Sequence, residues 1–247
     1  LKKLKKKCTI IMITTDKVYE NKEWEFGYRE NDPLGGNDPY SASKAGAEIA
    51  IGSWRKSFCG SELHQTDYLS IATARSGNVI GGGDWAENRI VPDSIKSLIN
   101  KLPIPVRNPS ATRPWQHVLE PLNGYMKLAE LIYKSNLITE KNSLCSAFNF
   151  GPSQESNKKV SVLIEEIIKF WDGTWVNDAN PQALKEANLL HLQTDKAYHL
   201  LGWTPKWDFH TTIEKTVLWY EKVHKNLNTP KEACLEDIES YCNLSLK

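Results

Sequence analysis

The chain has 247 residues, 40% of them hydrophobic and 25% charged, which is the composition of a globular protein able to bury a sizeable core. Its 31 Lys and Arg residues nearly balance 30 Asp and Glu residues, and no apolar run approaches the length of a membrane span. The 5 cysteines are odd in number and lack CxxC spacing, which argues against a disulfide framework and a zinc site. We therefore expect a cytoplasmic protein without a metal and without nucleic-acid or membrane partners.

The first predicted element is a buried strand over "CTIIMITT", from Cys8 to Thr15. A short run of apolar and β-branched residues is typical of a parallel sheet covered on both faces. Asp16 and Lys17 follow directly. In open α/β sheets the carboxyl end of a strand faces the ligand crevice, so these side chains are candidates for a functional site.

A helix is predicted from Pro39 to about Phe58, with Asp38 as its N-cap and Pro39 in the first turn. Tyr40 and Lys44 then lie one turn apart on the same face. An ammonium group beside a phenol favours the phenolate, and a phenol so tuned can act as a general base. The alternative is a surface pair of no chemical importance, because so short a pattern also arises by chance.

Further strands and helices alternate along the rest of the chain, which indicates the α/β class. Strands are predicted over Tyr68 to Val79, Ile104 to Arg107 and "AFNFG". A glycine-rich loop is predicted at Gly81 to Gly83. Helices are predicted over Ile90 to Asn100, His117 to Ser135, Val160 to Trp171, Thr194 to Leu201 and Thr211 to His224.

Together, "TTDK" at residues 14–17 and Tyr40-x-x-x-Lys44 resemble the extended short-chain dehydrogenase/reductase family. The blocks "YRENDPLGGNDPYSASK", "ARSGNVIGGGDWAENRIVPD", "RNPSATRPWQHVLEPLNGY", "FNFGP" and "LGWTPKWDF" are similar to the same family. The resemblance implies a Rossmann-like parallel sheet with a smaller C-terminal substrate-binding region, and NAD as cofactor. It implies that Thr15 hydrogen-bonds the substrate hydroxyl, Tyr40 removes its proton, and Lys44 tunes Tyr40 and holds the nicotinamide ribose. Tyr40 and Lys44 are thus both catalytic and cofactor-binding candidates.

Asp16-Lys17 narrows the resemblance to sugar-nucleotide 4,6-dehydratases, which place an acid and a base directly after the threonine. Most use Asp-Glu there, whereas Asp-Lys is the variant of the CDP-glucose 4,6-dehydratase family. The implied reaction converts CDP-glucose to CDP-4-dehydro-6-deoxyglucose, with Lys17 as base and Asp16 as acid. Such roles require a neutral lysine and a protonated aspartate. Alternatively, the two side chains form a solvated pair at a strand end.

The substrate's diphosphate requires cations, and planar guanidinium groups suit phosphate. Arg107 and Arg113 flank one loop and are candidates for this contact. Arg89 precedes a predicted helix and either reaches phosphate or is a surface charge. Asn78 stands where the resemblance implies a contact with the sugar nucleotide. Trp85, Trp115 and His117 are more often packing residues than ligands.

The domain organisation is predicted as residues 1–80, the later part of a Rossmann-like NAD-binding domain with the catalytic residues, and residues 81–247, mainly substrate-binding. No G-x-G-x-x-G turn precedes Cys8, so we expect N-terminal βα units to be absent. We therefore also expect that these 247 residues alone bind NAD weakly and show no turnover.

Ala42, Gly46 and Ala50 recur at helical spacing and predict a homodimer when the protein is complete. The alternatives are another sugar-nucleotide dehydratase or epimerase, or a non-catalytic sugar-nucleotide-binding remnant.

Overall fold

The computed structural model describes residues 6–59, 69–135, 143–179 and 189–244. Strands and helices alternate along these residues, which confirms the predicted α/β class. The chain forms two compact units, each built from three segments. Unit 1 comprises Leu1–Gly77, Pro121–Gly151 and Leu190–Thr204, and unit 2 comprises Asn78–Glu120, Pro152–Leu189 and Pro205–Lys247.

The strands are mostly short, and most of the helices are longer. The strands are β1 (Cys8–Ile13), β2 (Leu69–Arg75), β3 (Val79–Ile80), β4 (Ile104–Val106), β5 (Thr112–Pro114), β6 (Gln116–His117), β7 (Ala147–Asn149), β8 (Asn157–Lys159) and β9 (Trp175–Asn177). The α-helices are α1 (Pro39–Phe58), α2 (Ile90–Ile99), α3 (Leu119–Lys134), α4 (Val160–Phe170), α5 (Asp195–Leu201), α6 (Phe209–His224) and α7 (Pro230–Asn243).

Unit 1 contains a parallel sheet in the order β1-β2-β7. Every residue of the central strand β2 is buried, as expected for a strand covered on both faces. Ile13 of β1 pairs with Ala74 of β2, and the pairing continues beyond β1 because the Thr14 amide donates to the Ala74 carbonyl at 2.8 Å. The first strand therefore delivers the segment after Ile13 to the carboxyl end of the sheet.

Helix α1 begins where the sequence predicts it. The Asp38 carboxylate accepts hydrogen bonds from the Tyr40 and Ser41 amides, and Pro39 occupies the first turn. The Ser41 hydroxyl accepts in turn from the Asp38 amide, which completes a capping box. This capping determines which residues form the first turn, and it leaves Tyr40 exposed.

The core of unit 1 is aromatic and aliphatic. Leu128 and Ile132 of α3 pack with Phe148 of β7, Phe150 and Trp203, all of them buried. Phe150 and Trp203 meet edge to face with ring centroids 5.0 Å apart, an arrangement that adds about 0.5–1.5 kcal/mol to the burial of the rings. This core packs against strands β2 and β7 of the sheet.

Unit 2 is built from short strand pairs and amphipathic helices. Strands β3 and β6 pair in parallel, β4 and β9 pair in parallel, and β5 and β8 pair antiparallel. Its largest cluster of buried apolar residues joins α2, α4 and α6, and its central members are Ile95, Leu98, Leu163, Ile167 and Val217. Helix α7 lies against α6, where the Trp219 indole donates to the Cys234 sulfur at 3.4 Å.

Several predicted elements differ by one or a few residues from those observed, and two of these differences have a clear structural cause. The strand predicted over Tyr68 to Val79 ends at Arg75, since Asn78 adopts a left-handed conformation with φ of 50° and separates β2 from β3. Tyr68 itself lies outside the described residues. The helix predicted from His117 begins at Leu119, because His117 pairs with Ile80 in the β3–β6 ladder.

None of the helices within the described residues combines the length and the apolar character that crossing a membrane requires.

Candidate active site

Thr15 and Asp16 lie at the carboxyl end of β1 and are both buried. The Thr15 hydroxyl donates to Asp16 Oδ1 at 2.9 Å, and it accepts from the Lys17 amide at 3.4 Å. A hydroxyl has two acceptor lone pairs, so Thr15 retains one for a ligand. The first two predicted catalytic residues are therefore held in direct contact.

Gly77 defines one wall around the Asp16 carboxylate. A Cβ atom at Gly77 would lie 2.0 Å from Asp16 Oδ2, a distance at which no side chain fits. The Asp16 amide also donates to the Ser76 carbonyl at 3.1 Å. The segment that follows β2 thus approaches Asp16 closely, and only glycine permits that approach.

Lys17 is exposed, unlike its two neighbours. It lies near the start of α1, because its charge contributes to the low pKa of Asp38. Hydrogen bonds from the Ser41 hydroxyl and amide are the main causes of that low pKa. The burial that would favour a neutral lysine is not present in this structure.

Tyr40 and Lys44 share one face of α1, as their spacing predicts. Lys44 Nζ lies 5.9 Å from the centroid of the Tyr40 ring. Tyr40 is 51% exposed, so its hydroxyl is accessible to a ligand. The structure therefore brings the strand-end residues 15–17 and the first turn of the Tyr40 helix together within unit 1.

The four residues predicted to contact the sugar nucleotide belong to unit 2, and the structure brings two of them to one region. Arg89 is the N-cap of α2 and pairs with Asp84 at 3.4 Å. The Arg107 guanidinium donates to Asn88 Oδ1 at 3.2 Å and lies 3.8 Å from Asp93 in the first turn of the same helix. Arg89 and Arg107 are thus both close to the N-terminus of α2.

The other two predicted contacts lie elsewhere in unit 2. Arg113 is on β5 and donates to the Thr112 carbonyl at 2.9 Å. Asn78 directly precedes β3, and its carbonyl accepts from the Gln116 amide at 3.3 Å. These two residues therefore lie at strands rather than at the N-terminus of α2.

The aromatic residues near these positions divide into packing residues and one exposed ring. Trp115 and His117 are buried, and burial lowers the pKa of His117 to about 3, with a smaller contribution from the charge of Lys215. Trp85 is half exposed and packs edge to face on Tyr220.

The triple glycine after β3 has a packing explanation. A Cβ atom at Gly82 would lie 2.0 Å from Trp219 Cδ2. The loop therefore lies directly against the Trp219 indole within unit 2.

Two further residues of unit 1, Glu48 of α1 and Arg75 of β2, form a buried ion pair that is absent from the residues predicted above. Two signals were present. Glu48 continues the helical spacing of Tyr40 and Lys44, and Arg75 is a charged residue inside an otherwise buried strand. A buried charge requires a partner, so each predicts the other.

A model of one protein family, described as GDP-mannose 4,6 dehydratase, matches residues 1–216. The chain belongs to this family. Helix α7 lies beyond the matched residues.

Among curated members of such families, the CDP-glucose 4,6-dehydratase of Salmonella typhimurium is 41% identical over 86% of this chain and 58% of that protein. The dTDP-glucose 4,6-dehydratase of Haemophilus influenzae is 24% identical over 84% of this chain and 59% of that protein. The chain thus spans about three-fifths of the length of these relatives.

Solved structures share the fold of this family member. A dTDP-glucose 4,6-dehydratase of Bacillus anthracis in complex with NAD superposes with a TM-score of 0.65 at 20% identity, covering 87% of this chain and 62% of that one. A UDP-glucuronic acid 4-epimerase of Bacillus cereus in complex with UDP-glucuronic acid and NAD gives 0.71 at 17% identity, covering 90% and 64%. The predicted Rossmann-like parallel sheet is thereby confirmed.

Proposed function

We propose that this chain supplies the catalytic residues for the NAD-dependent dehydration of CDP-glucose to CDP-4-dehydro-6-deoxyglucose. One observation carries the proposal: the buried Thr15–Asp16 pair and the Tyr40–Lys44 helix face lie in one compact unit, in which the turn at Asp16–Val18 contacts α1. The 41% identity to a CDP-glucose 4,6-dehydratase supports CDP as the nucleotide. Residues 1–80 would then carry the catalytic groups and residues 81–247 most of the substrate contacts.

The donor set on α1 fits a nicotinamide ribose. Tyr40 is exposed, and the ammonium of Lys44 lies one turn further along the same face. An ammonium and a phenol are suited to the hydroxyls of a ribose, because they donate and accept hydrogen bonds at this spacing. Bound NAD would supply hydride acceptance at sugar carbon 4 and hydride return at carbon 6.

Tyr40 and Thr15 act on the carbon 4 hydroxyl in this proposal. Tyr40 accepts the hydroxyl proton as the general base, with the Lys44 ammonium one helical turn away on the same face. The remaining acceptor lone pair of Thr15 orients the same hydroxyl group. The carbonyl group so formed at carbon 4 acidifies the proton on carbon 5.

Asp16 and Lys17 carry out the elimination. Lys17 accepts the proton from carbon 5 and later returns it to carbon 5, and Asp16 donates a proton to the carbon 6 hydroxyl, which leaves as water. A lysine is a base only when neutral, so this role requires that the bound sugar exclude water from the ammonium group of the exposed Lys17. The close contact of Gly77 holds the Asp16 carboxyl in place for its role as acid.

We assign the substrate diphosphate to unit 2, with Arg89 and Arg107 near the N-terminus of α2 as its first contacts. Two guanidinium groups beside the positive end of a helix dipole favour an anion. Asp84 pairs with Arg89, and Asp93 pairs with Arg107. A bound phosphate would displace these carboxylates or share the guanidinium groups with them. Asn78 and Arg113 remain proposed contacts from their sequence blocks.

We further propose a cytoplasmic homodimer that pairs through α1. Ala42, Gly46 and Ala50 are all exposed on this helix, and a Cβ atom at Gly46 would meet nothing within 4 Å among the described residues. Small residues allow a second helix to approach closely. The 5 cysteines are free, which fits a reducing compartment.

The test is a product assay on the protein expressed from its complete reading frame. Purified protein is incubated with NAD and, in separate reactions, with CDP-glucose, dTDP-glucose and UDP-glucose, and the sugar products are identified by mass and NMR. We expect the 4-keto-6-deoxy sugar from CDP-glucose. Lys17→Ala should abolish it, whereas the neighbouring Lys22→Ala should not.

Each of three other results would contradict the proposal and support a different function. Turnover of dTDP- or UDP-glucose but not CDP-glucose would indicate another dehydratase. An epimer with its carbon 6 hydroxyl intact would indicate an epimerase. Binding of CDP-glucose without turnover would indicate a non-catalytic binding protein.

A further inference from the structure

A buried ion pair joins the helix that carries Tyr40 to the central strand of the sheet. Arg75 Nε donates to Glu48 Oε1 at 2.9 Å, and Arg75 Nη2 donates to Glu48 Oε2 at 3.0 Å. The two side chains are only 4% and 3% exposed. Such a fork of two parallel hydrogen bonds fixes both the distance and the orientation of its partners.

Two threonine hydroxyls complete the coordination of the Glu48 carboxylate. Thr14 donates to Oε1 at 2.6 Å, and Thr73 of β2 donates to Oε2 at 2.9 Å. Burial alone would raise the pKa of Glu48, but the hydrogen bonds and charge of Arg75, together with these hydroxyls, hold it below its ordinary value. Glu48 is therefore charged at neutral pH and accepts four hydrogen bonds.

The far side of the guanidinium is also engaged. Arg75 Nη1 donates to the Tyr19 hydroxyl at 2.8 Å and to the Glu30 carbonyl at 3.1 Å. The Tyr19 hydroxyl donates in turn to Asn149 Oδ1 at 2.6 Å, and burial is the main cause that raises the pKa of Tyr19 to about 12. The ion pair is thus anchored to β7 as well as to α1.

We propose that Glu48 and Arg75 are positioning residues that set the placement of Tyr40 and Lys44 relative to Thr15. Glu48 lies one turn after Lys44 on α1, and Thr14, one of its donors, directly precedes Thr15. One carboxylate therefore holds both the helix of the proposed base and the strand end of the proposed substrate-orienting hydroxyl. The inference rests on the proposed function, because Glu48 and Arg75 would hold the catalytic groups of that proposal in position.

The physical reason is that this contact does not tolerate sliding. A shift of α1 along the sheet would leave a buried carboxylate or guanidinium without its partner, which is far more costly than a shift between apolar surfaces. Reaction rates respond to such shifts, since a misplacement of about 1 Å can lower a rate by about 10²-fold. The ion pair thus confers a precision of placement that apolar packing would not.

The proposal is tested with variants that separate hydrogen bonding from shape. Thr73→Val keeps the size of the side chain and removes its hydroxyl, whereas Thr73→Ser keeps the hydroxyl and removes a methyl group. Thr9→Val on β1 is the matched control, because the buried Thr9 hydroxyl has no hydrogen-bond partner among the described residues. All proteins are expressed from the complete reading frame and assayed with CDP-glucose and NAD.

We expect Thr73→Val to lower kcat by about tenfold or more and to leave KM for CDP-glucose within about twofold, because most of the proposed substrate contacts lie in residues 81–247 rather than on α1. Thr73→Ser and Thr9→Val should retain kcat. A role in packing alone predicts the reverse order, in which Ser is worse than Val. That order, or equal kcat for Thr73→Val and Thr9→Val, would overturn the proposal.

Amide hydrogen exchange of the same proteins separates this inference from the proposed function. Thr73→Val should accelerate exchange in the first turns of α1, from Ser41 to Glu48, while Thr73→Ser and Thr9→Val leave it unchanged. If the unmutated protein forms no product but this exchange pattern is observed, the proposed function is wrong and the placement of α1 by Glu48 stands. If Thr73→Val exchanges like Thr9→Val, the placement role itself is wrong.

Discussion

The Lys44 ammonium lies 5.9 Å from the centre of the Tyr40 ring, one helical turn away on an exposed face of α1. The N-cap that determines this arrangement is formed by Asp38, whose carboxylate accepts from the amides of residues 40 and 41. The first turn of the helix is thus ordered locally, before any ligand binds. Both side chains remain available for chemistry.

Replacing Tyr40 by Phe should therefore lower dehydratase turnover by about 10²–10⁴-fold, because the acceptor for the carbon 4 hydroxyl proton is lost. The fold should be retained, since the exposed hydroxyl supports no core contact. Tyr198→Phe, at another exposed tyrosine, is the control. Formation of the 4-keto-6-deoxy sugar from CDP-glucose is followed over time for each protein. Near-normal turnover by Tyr40→Phe would mean that Tyr40 is only a surface residue.

The proposed dimer can be tested with two glycines of the same helix. Gly46→Arg should disrupt the dimer, because the large side chain blocks the close approach of a second helix. Gly52→Arg is the matched control: its Cβ would also meet nothing within 4 Å in the described part of the chain, and six residues place it on a different side of α1. Light scattering at micromolar concentration gives the mass of each variant. Dimers for both variants, or a monomeric unmutated protein, would contradict pairing through this face.

Gly82→Ala should destabilise unit 2 by about 1–3 kcal/mol, because the added methyl group would overlap the Trp219 ring. Gly52→Ala should instead stabilise α1 by about 0.5–1 kcal/mol, since its surroundings are open and alanine loses less backbone entropy. Urea unfolding followed by circular dichroism measures both changes. Equal stability of Gly82→Ala and the unmutated protein would show that the loop can move away from Trp219.

Asp237 of α7 should make stability depend on pH. Burial, the largest cause, raises its pKa from 3.8 to about 6 against the opposing charges of Lys215 and Lys222. The folded state therefore holds this proton more tightly than the unfolded chain, and its contribution to stability is present below pH 3.8 and is lost as pH rises through about 6.

Asp237→Asn should accordingly raise the thermal midpoint above pH 6 and leave it unchanged below pH 3.8. Glu239→Gln, at an exposed position of the same helix, serves as control. Thermal unfolding is followed across this pH range. A midpoint for Asp237→Asn that runs parallel to that of the unmutated protein at every pH would refute the prediction.

The parts of the structure that could be predicted from sequence are those with local signals. Helix α1 follows from its cap and its proline, and the juxtaposition of Tyr40 and Lys44 follows from helical periodicity. Strand β1 follows from a run of β-branched residues, and it delivers Thr15 and Asp16 to the end of the sheet. These elements depend on neighbours along the chain.

What could not be predicted depends on residues that are distant in sequence. The contact of Asp16 with Gly77 and the pairing of Glu48 with Arg75 arise only when β1, α1 and β2 are assembled. Strands β5 and β8 have three residues each, too few for a periodic pattern. Helix α7 was not predicted, because only Ala233 and Tyr241 are buried along its length and its apolar stripe is weak.

The close contact between Gly77 and Asp16 sets a length limit on the side chain at position 16. With Oδ2 already 2.0 Å from where a Cβ of residue 77 would stand, one more methylene in the acid has no space to extend on that side. Asp16→Glu would have to turn its carboxyl away from the loop. Redesign of this acid for a substrate of different size must therefore begin by rebuilding the loop around residue 77, and directed libraries that vary position 16 alone will recover mostly aspartate and smaller residues.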